Sequence, residues 1–238
     1  MTERNKPHIV YTQNIAETYE SDRQNNVGDL AFWEKERQEL QFGIATSKLD
    51  IHTALEAGCG TGRFIPDMVR KGYTLFGFDI SPYMLGMASK KSETKQFDCN
   101  LIRADLSHIP LSDRKIDFVY SIRVMNQLPS REFALHTITE LFRICKTPGA
   151  ILLEYVNSWS LSRFSFKSST YLSINDIKSI IREEKGCKLF YVRGVLFFSQ
   201  TIWTHLPRLL LRPLMKLDSF LCRLLPMFST RCYVLIRK

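Results

Sequence analysis

The segment Leu55-Glu56-Ala57-Gly58-Cys59-Gly60-Thr61-Gly62-Arg63-Phe64 constrains this chain more than any other. A strand-like run ends, three glycines stand at alternate positions, and a helix-like segment opens. Glycine permits a tight turn and lets a ligand reach main-chain N–H groups without a Cβ in the way. This turn is the first of a series. From residue 51, apolar runs at 54–56, 74–78, 101–102, 118–122 and 150–153 alternate with helix-like segments at 63–71, 82–91 and 131–146. Strands separated by helices need crossover connections, so the pattern predicts an α/β fold with a mostly parallel sheet. In such a sheet the first strand-to-helix turn lies at the carboxyl edge, where ligands bind. The first 50 residues read as helical and polar. Asp29 is placed to cap a helix with Leu30, Trp33, Leu40 and Ile44 on its apolar side.

Composition narrows the class. Of 238 residues, 45% are hydrophobic and 24% charged, enough apolar surface to offset the entropy of ordering. Intrinsic disorder of the whole chain is excluded. Six cysteines are scattered with no C-x-x-C pair, which fits reduced thiols and argues against structural zinc. Residues 1–6 carry no apolar core of a secretory signal, and no apolar run reaches the ~18 residues of a membrane span. A cytoplasmic protein is expected.

The glycine spacing is G-x-G-x-G, not the dinucleotide G-x-G-x-x-G. Glu56 precedes it, and a carboxylate there repels a pyrophosphate but suits a cationic ligand with an amino group. Asp79 ends the next strand, where a carboxylate accepts hydrogen bonds from ribose hydroxyls. Ser81-Pro82 then starts a helix, with Ser as cap and Pro in the first turn. Asp105 follows the third apolar run and is positioned to accept from an exocyclic adenine amine. Each piece alone is weak, because a glycine loop is often only a turn and a strand-end Asp often only a cap. Their order suits the amino, ribose and adenine groups of one ligand.

At these residues the sequence resembles the class I S-adenosylmethionine-dependent methyltransferases of the small-molecule and quinone branch. The resemblance covers roughly residues 10–190 and is most specific over 54–150. Glu56, Gly58, Gly60 and Gly62 match the cofactor loop, Asp79 the ribose acid and Asp105 the adenine acid. Residues 116–129 resemble the fourth strand and the loop under the methionine end. Residues 140–150 resemble the helix and turn before the fifth strand, with one residue inserted. Tyr11, Ala16 and Tyr19 resemble an N-terminal lid. The resemblance implies a Rossmann-like, doubly wound, mostly parallel seven-stranded sheet with helices on both faces. It implies a helical lid at 1–50, a core at 51–238 and a helical insertion at about 196–230. The implied cofactor is S-adenosylmethionine, with S-adenosylhomocysteine as product and no metal. Its binding residues would be Tyr19, Glu56, Gly58, Cys59, Gly60, Gly62, Arg63, Phe64, Asp79, Ile80, Ser81, Met84, Ala104, Asp105, Leu106, Ser121, Ile122 and Asn126.

The acceptor side is less legible. Where many relatives carry His, this chain has Asn126-Gln127, and neither amide acts as a general base near neutral pH. An SN2 transfer governed by proximity and desolvation is therefore expected. Tyr19 and His205 are the candidate catalytic groups; His108 and His136 read as surface and structural. Tyr11, Arg123, Tyr155, Asn157 and Trp203 are the candidate acceptor residues, although Arg123 also reads as a solvated helix-start residue and Tyr155 and Asn157 as loop-shaping ones. There is no N-P-P-Y-like motif, Pro-Cys pair or paired-Glu loop, which counts against base-amino, pyrimidine-C5 and protein-arginine methylation. The expected acceptor is a small or lipid-like molecule. An RNA or protein methyltransferase, and a non-catalytic binder of the cofactor, are the alternatives.

The net charge of +9 is unevenly spread. Residues 188–238 hold nine Lys and Arg against Asp218 alone, while residues 1–187 are nearly neutral. The resemblance implies that the last two strands form a hairpin, here residues 188–195 and 232–236. Between them Pro207, Pro213 and Pro226 are expected to break the chain into short helical pieces. Arg208, Arg212 and Lys216 are spaced to share one helical face, among many Leu and Phe. A solvated cap, peripheral membrane contact, a homodimer interface and nucleic-acid binding all compete for this segment. Large aliphatics among the charges favour a membrane surface or lipid-like acceptor over nucleic acid.

Overall fold

In a computed structural model, residues 11–24, 27–95, 99–160, 170–184, 186–198 and 208–238 are described. The apolar runs become β1 (Thr53–Ala57), β2 (Thr74–Asp79), β3 (Asn100–Arg103), β4 (Ile116–Ser121) and β5 (Cys145–Val156). The tail supplies β6 (Lys188–Val195) and β7 (Arg231–Arg237). The helices are α1 (Gln13–Gln24), α2 (Val27–Ser47), α3 (Ile65–Val69), α4 (Pro82–Lys95), α5 (Arg131–Ile144), α6 (Ile174–Glu183) and α7 (Arg208–Leu224). Seven strands form one sheet in the order β3-β2-β1-β4-β5-β7-β6. β1 to β5 pair in parallel, while β7 runs antiparallel between β5 and β6. The expected doubly wound, mostly parallel sheet is present, closed by an antiparallel hairpin.

Adjacent residues of each central strand point to opposite faces, and both faces are covered. Leu55, Val119, Ile151 and Val234 pack with Ile138, Leu141 and Phe142 of α5 and Ile177 of α6. Their neighbours Ala54, Phe118, Leu152 and Leu235 pack with Leu40 and Ile44 of α2, Met68 of α3 and Ala88 of α4. After β1 the chain winds one way through β2 and β3. It then returns through β4 and β5 on the other side of β1. The crevice at this reversal, beyond the carboxyl ends of β1 and β4, is where a ligand fits an open sheet.

Two helical expectations change. α2 begins at Val27, so Asp29 sits in its first turn rather than capping it. Leu30 is exposed, and the buried side of α2 carries Glu36 and Glu39 beside Leu40 and Ile44. Buried carboxylates persist only when paired. Here Arg63 and Arg123 reach Glu36, and Arg193 lies 3.1 Å from Glu39. Pro213 does not break the tail; it lies inside the single helix α7. It forfeits one backbone bond, while Leu214, Asp218, Leu221 and Cys222 give α7 an inward face that is buried or half-buried.

The basic tail is only partly a surface feature. The Arg231 guanidinium is buried against the Glu154 carboxylate, whose other oxygen accepts the Arg123 backbone N–H at 2.7 Å. Lys238 donates to the Phe142 carbonyl. Removing one partner of a buried pair strands a charge and costs about 3–5 kcal/mol. Arg231→Leu should lower unfolding free energy in urea by about that amount. Arg231→Met with Glu154→Gln should recover most of it.

Candidate functional site

The reversal crevice is a cleft of about 960 Å³, partly open to solvent. Its floor is the glycine loop. Gly58 has φ +79, and a Cβ there would lie 2.2 Å from Val124 Cγ2, so glycine is required. The Gly58 and Cys59 N–H groups donate to the Phe78 carbonyl at 2.7 and 2.9 Å, tying the loop to β2. The space around Gly60 is open for 4 Å in the direction a Cβ would take. Gly62 does not line the cleft. A Cβ at Gly62 would meet Ile65 and Ala88, so this glycine lets α3 and α4 approach.

Three carboxylates reach the cleft: Glu56, Asp79 and Asp105. Asp79, at the tip of β2, accepts from the Gly60 and Ser81 N–H groups, both at 2.9 Å. Burial raises its pKa against these bonds. Asp105 accepts from the Ser107 N–H at 2.9 Å and its hydroxyl at 2.8 Å, which fixes the turn after β3. Glu56 is buried beneath the loop and accepts from the Tyr120 hydroxyl at 3.1 Å. Burial pushes its pKa up to about 8, outweighing Arg63 and Tyr120, which pull it down.

Two cations also line the cleft. Arg63 and Arg123 share the Glu36 carboxylate of α2. Arg123 has φ +64, a conformation that costs a non-glycine residue about 1–2 kcal/mol. The Glu154 bond to its N–H holds it there and turns its side chain inward, under the Phe32 ring. Arg123 is thus half-buried and paired, not solvated. Arg63 stacks on Trp33 and Phe64.

Tyr11 and Tyr19 close one side of the cleft, edge to face with ring centroids 5.7 Å apart. The Tyr11 hydroxyl donates to Gln127 Oε1, and the Gln127 amide donates to the Arg123 carbonyl. The Ser81 hydroxyl donates to the Tyr11 carbonyl at 3.4 Å.

Of the residues singled out in the sequence, Tyr11, Tyr19, Glu56, Gly58, Cys59, Gly60, Arg63, Phe64, Asp79, Ile80, Met84, Asp105, Leu106, Ile122 and Arg123 line this cleft. Ser81, Ala104, Ser121 and Asn126 lie next to lining residues without lining it. Tyr155 and Asn157 are elsewhere. Tyr155 is buried in the core beneath α5 and α6. Asn157 donates to the Met227 and Ser229 carbonyls at 2.6 and 3.2 Å, so its amide binds the chain itself. Trp203 and His205 lie outside the described residues. Thr61, Val124, Gln127, Leu128 and Phe133 also line the cleft. Gln127 was legible as an amide in place of a base. Phe133 carries no local signal, because only the docking of α5 brings it there.

Comparison with known proteins fits this geometry. Residues 55–153 match the model of the "Methyltransferase domain" family. The overall fold is that of solved S-adenosylmethionine-dependent methyltransferases. A magnesium protoporphyrin IX methyltransferase from Synechocystis PCC 6803, solved with bound S-adenosylhomocysteine, superposes with TM-score 0.65. It is 15% identical, over 95% of this chain and 98% of that one. An S-adenosylmethionine-dependent methyltransferase from Clostridium acetobutylicum superposes equally well, TM-score 0.65 at 12% identity, over 86% and 91% of the two chains. In sequence, a malonyl-[acyl-carrier protein] O-methyltransferase of Hamiltonella defensa is 32% identical over 54% of this chain and 48% of its own length. The homologous enzyme of Buchnera aphidicola is 28% identical over 59% of each chain. This chain thus spans about half to three fifths of the length of these two relatives.

The cleft carries a pH signature. Folded Glu56 keeps its proton up to about pH 8, whereas an unfolded glutamate loses it near 4.5. Between those values the folded state binds more protons, so stability falls as pH rises. Urea midpoints of the ligand-free protein should decline from pH 5 to 8, and Glu56→Gln should flatten the decline.

Proposed function

We propose that this chain transfers a methyl group from S-adenosylmethionine to a small-molecule or lipid-like acceptor, leaving S-adenosylhomocysteine. The convergence of Glu56, Asp79 and Asp105 on an open glycine loop carries the reading. A cleft with three carboxylates suits a cationic ligand, and the room over Gly60 suits a ligand lying against backbone. When bound, this cosubstrate supplies a sulfonium methyl electrophilic enough to need no further activation. Asp79 would accept from the ribose hydroxyls, Glu56 from the amino group and Asp105 from the adenine amine. Ile80, Met84 and Leu106 supply apolar wall. Tyr11 and Tyr19 would act as a lid that excludes water, with Gln127 holding Tyr11 down.

An acceptor that is already an oxyanion fits Arg63 and Arg123 best. Arg63 and Arg123 share one carboxylate, so that group carries one net positive charge. Among the described residues lining the cleft there is no histidine. A carboxylate or phenolate needs no base, and rate then comes from in-line positioning and desolvation. The relatives named for a malonyl-carrier substrate support a carboxylate, presented free or on a carrier protein.

Calorimetry with S-adenosylhomocysteine should show binding, weakened about tenfold or more by Asp79→Ala, which removes charge-assisted hydrogen bonds of about 1.5–3 kcal/mol. No binding would overturn the reading. Labelled methyl transfer should enter carboxylate or phenol acceptors, and Arg123→Gln should raise KM more than it lowers kcat. Label found only in RNA or protein side chains would reassign the acceptor.

A further inference from the structure

The outward side of α7 is left uncovered by the rest of the fold. Leu210, Pro213, Leu217, Phe220 and Leu224 recur at spacings of three and four, which aligns them along one face. All five are exposed, Phe220 and Leu224 by 60% and 62%, and neighbouring Leu209 by 87%. Burying such side chains in apolar surroundings is favourable, so their common exposure marks a contact surface.

The charge beside this face identifies its occupant. Lys216 and Arg223, two turns apart, are exposed along one edge. With Met215, Ser219 and Phe220 they line a shallow groove of about 640 Å³. The acid of α7, Asp218, points inward. It accepts the Phe197 and Phe198 N–H groups at 2.8 and 3.1 Å and lies 3.8 Å from Lys35. Among the described residues of α7 no exposed acid offsets the cations. An antiparallel second copy docked face to face would therefore bring cation against cation. A nucleic-acid surface leaves the large aliphatics unused. No described helix is long and apolar enough to cross a membrane.

We propose that α7 is an interfacial helix that docks the protein on an anionic lipid surface. Its Leu and Phe enter the headgroup boundary while Lys216 and Arg223 meet lipid phosphates. The proposal does not depend on the methyl-transfer reading, because α7 contributes nothing to the cleft.

Flotation of the full chain with phosphatidylcholine vesicles, with and without 30% phosphatidylglycerol, tests it. Binding is expected to the anionic vesicles only and to weaken with salt. Lys216→Gln with Arg223→Gln should weaken it about 30-fold, from ~1 kcal/mol per charge. Leu217→Glu with Phe220→Glu should abolish it. Unchanged thermal midpoints and S-adenosylhomocysteine binding would show both variants folded. Absence of flotation, or flotation indifferent to lipid charge, overturns the proposal. So does a concentration-dependent dimer, or RNA retention without vesicle binding, that is lost in Leu217→Glu/Phe220→Glu.

Discussion

A single buried carboxylate, Glu36, organises the site. It faces Arg63 from the glycine-loop side and Arg123 from the end of β4. A charge removed from water is tolerable only if it is paired. The pairing therefore fixes α2 against both sides of the switch point. A second carboxylate, Glu154, holds the Arg123 backbone and the Arg231 side chain, extending the restraint into β5 and β7. The two cores on either face of the sheet supply the bulk of the stability. The ionic chain decides where the cleft wall stands. It also explains why a residue as costly to strain as Arg123 adopts a positive φ.

The cleft lining thus carries both signs. Three carboxylates come from β1, β2 and the turn after β3, and two guanidinium groups pair with Glu36 of α2. The carboxylates suit a cation, the guanidinium groups an anion. Burial holds Glu56 protonated up to about pH 8 until something positive enters. The proposed chemistry needs both signs. The cationic donor and the oxyanion acceptor would each be held by the opposite sign, and the hydroxyl-bearing lid would keep water from the space between.

The parallel sheet was legible because its strands are buried on both faces and so read as continuous apolar runs, each followed by a helix. The cleft residues on β1, β2 and the turn after β3 were legible too, since glycines and strand-end acids announce themselves locally. Glu36 was not. It lies in a stretch that reads as polar and solvated, and nothing local says that two arginines will cover it. Tyr155 and Asn157 misled for the opposite reason. They follow the fifth strand, as an acceptor loop would, but β7 and the turn before it close over them. Pro213 read as a break, yet packing of the inward face of α7 outweighs one lost hydrogen bond.

By itself, then, the sequence determined what periodicity and local chemistry encode: strand against helix, the glycine turn, the acids at strand ends and a basic, apolar tail. Tertiary structure alone decided which charges became internal. Arg193 and Arg231 of the tail are consumed by Glu39 and Glu154, while Lys216 and Arg223 remain outside. The reason is physical. Charge is read off a sequence residue by residue, but its cost and its use depend on how far from water folding carries it and which opposite charge arrives with it.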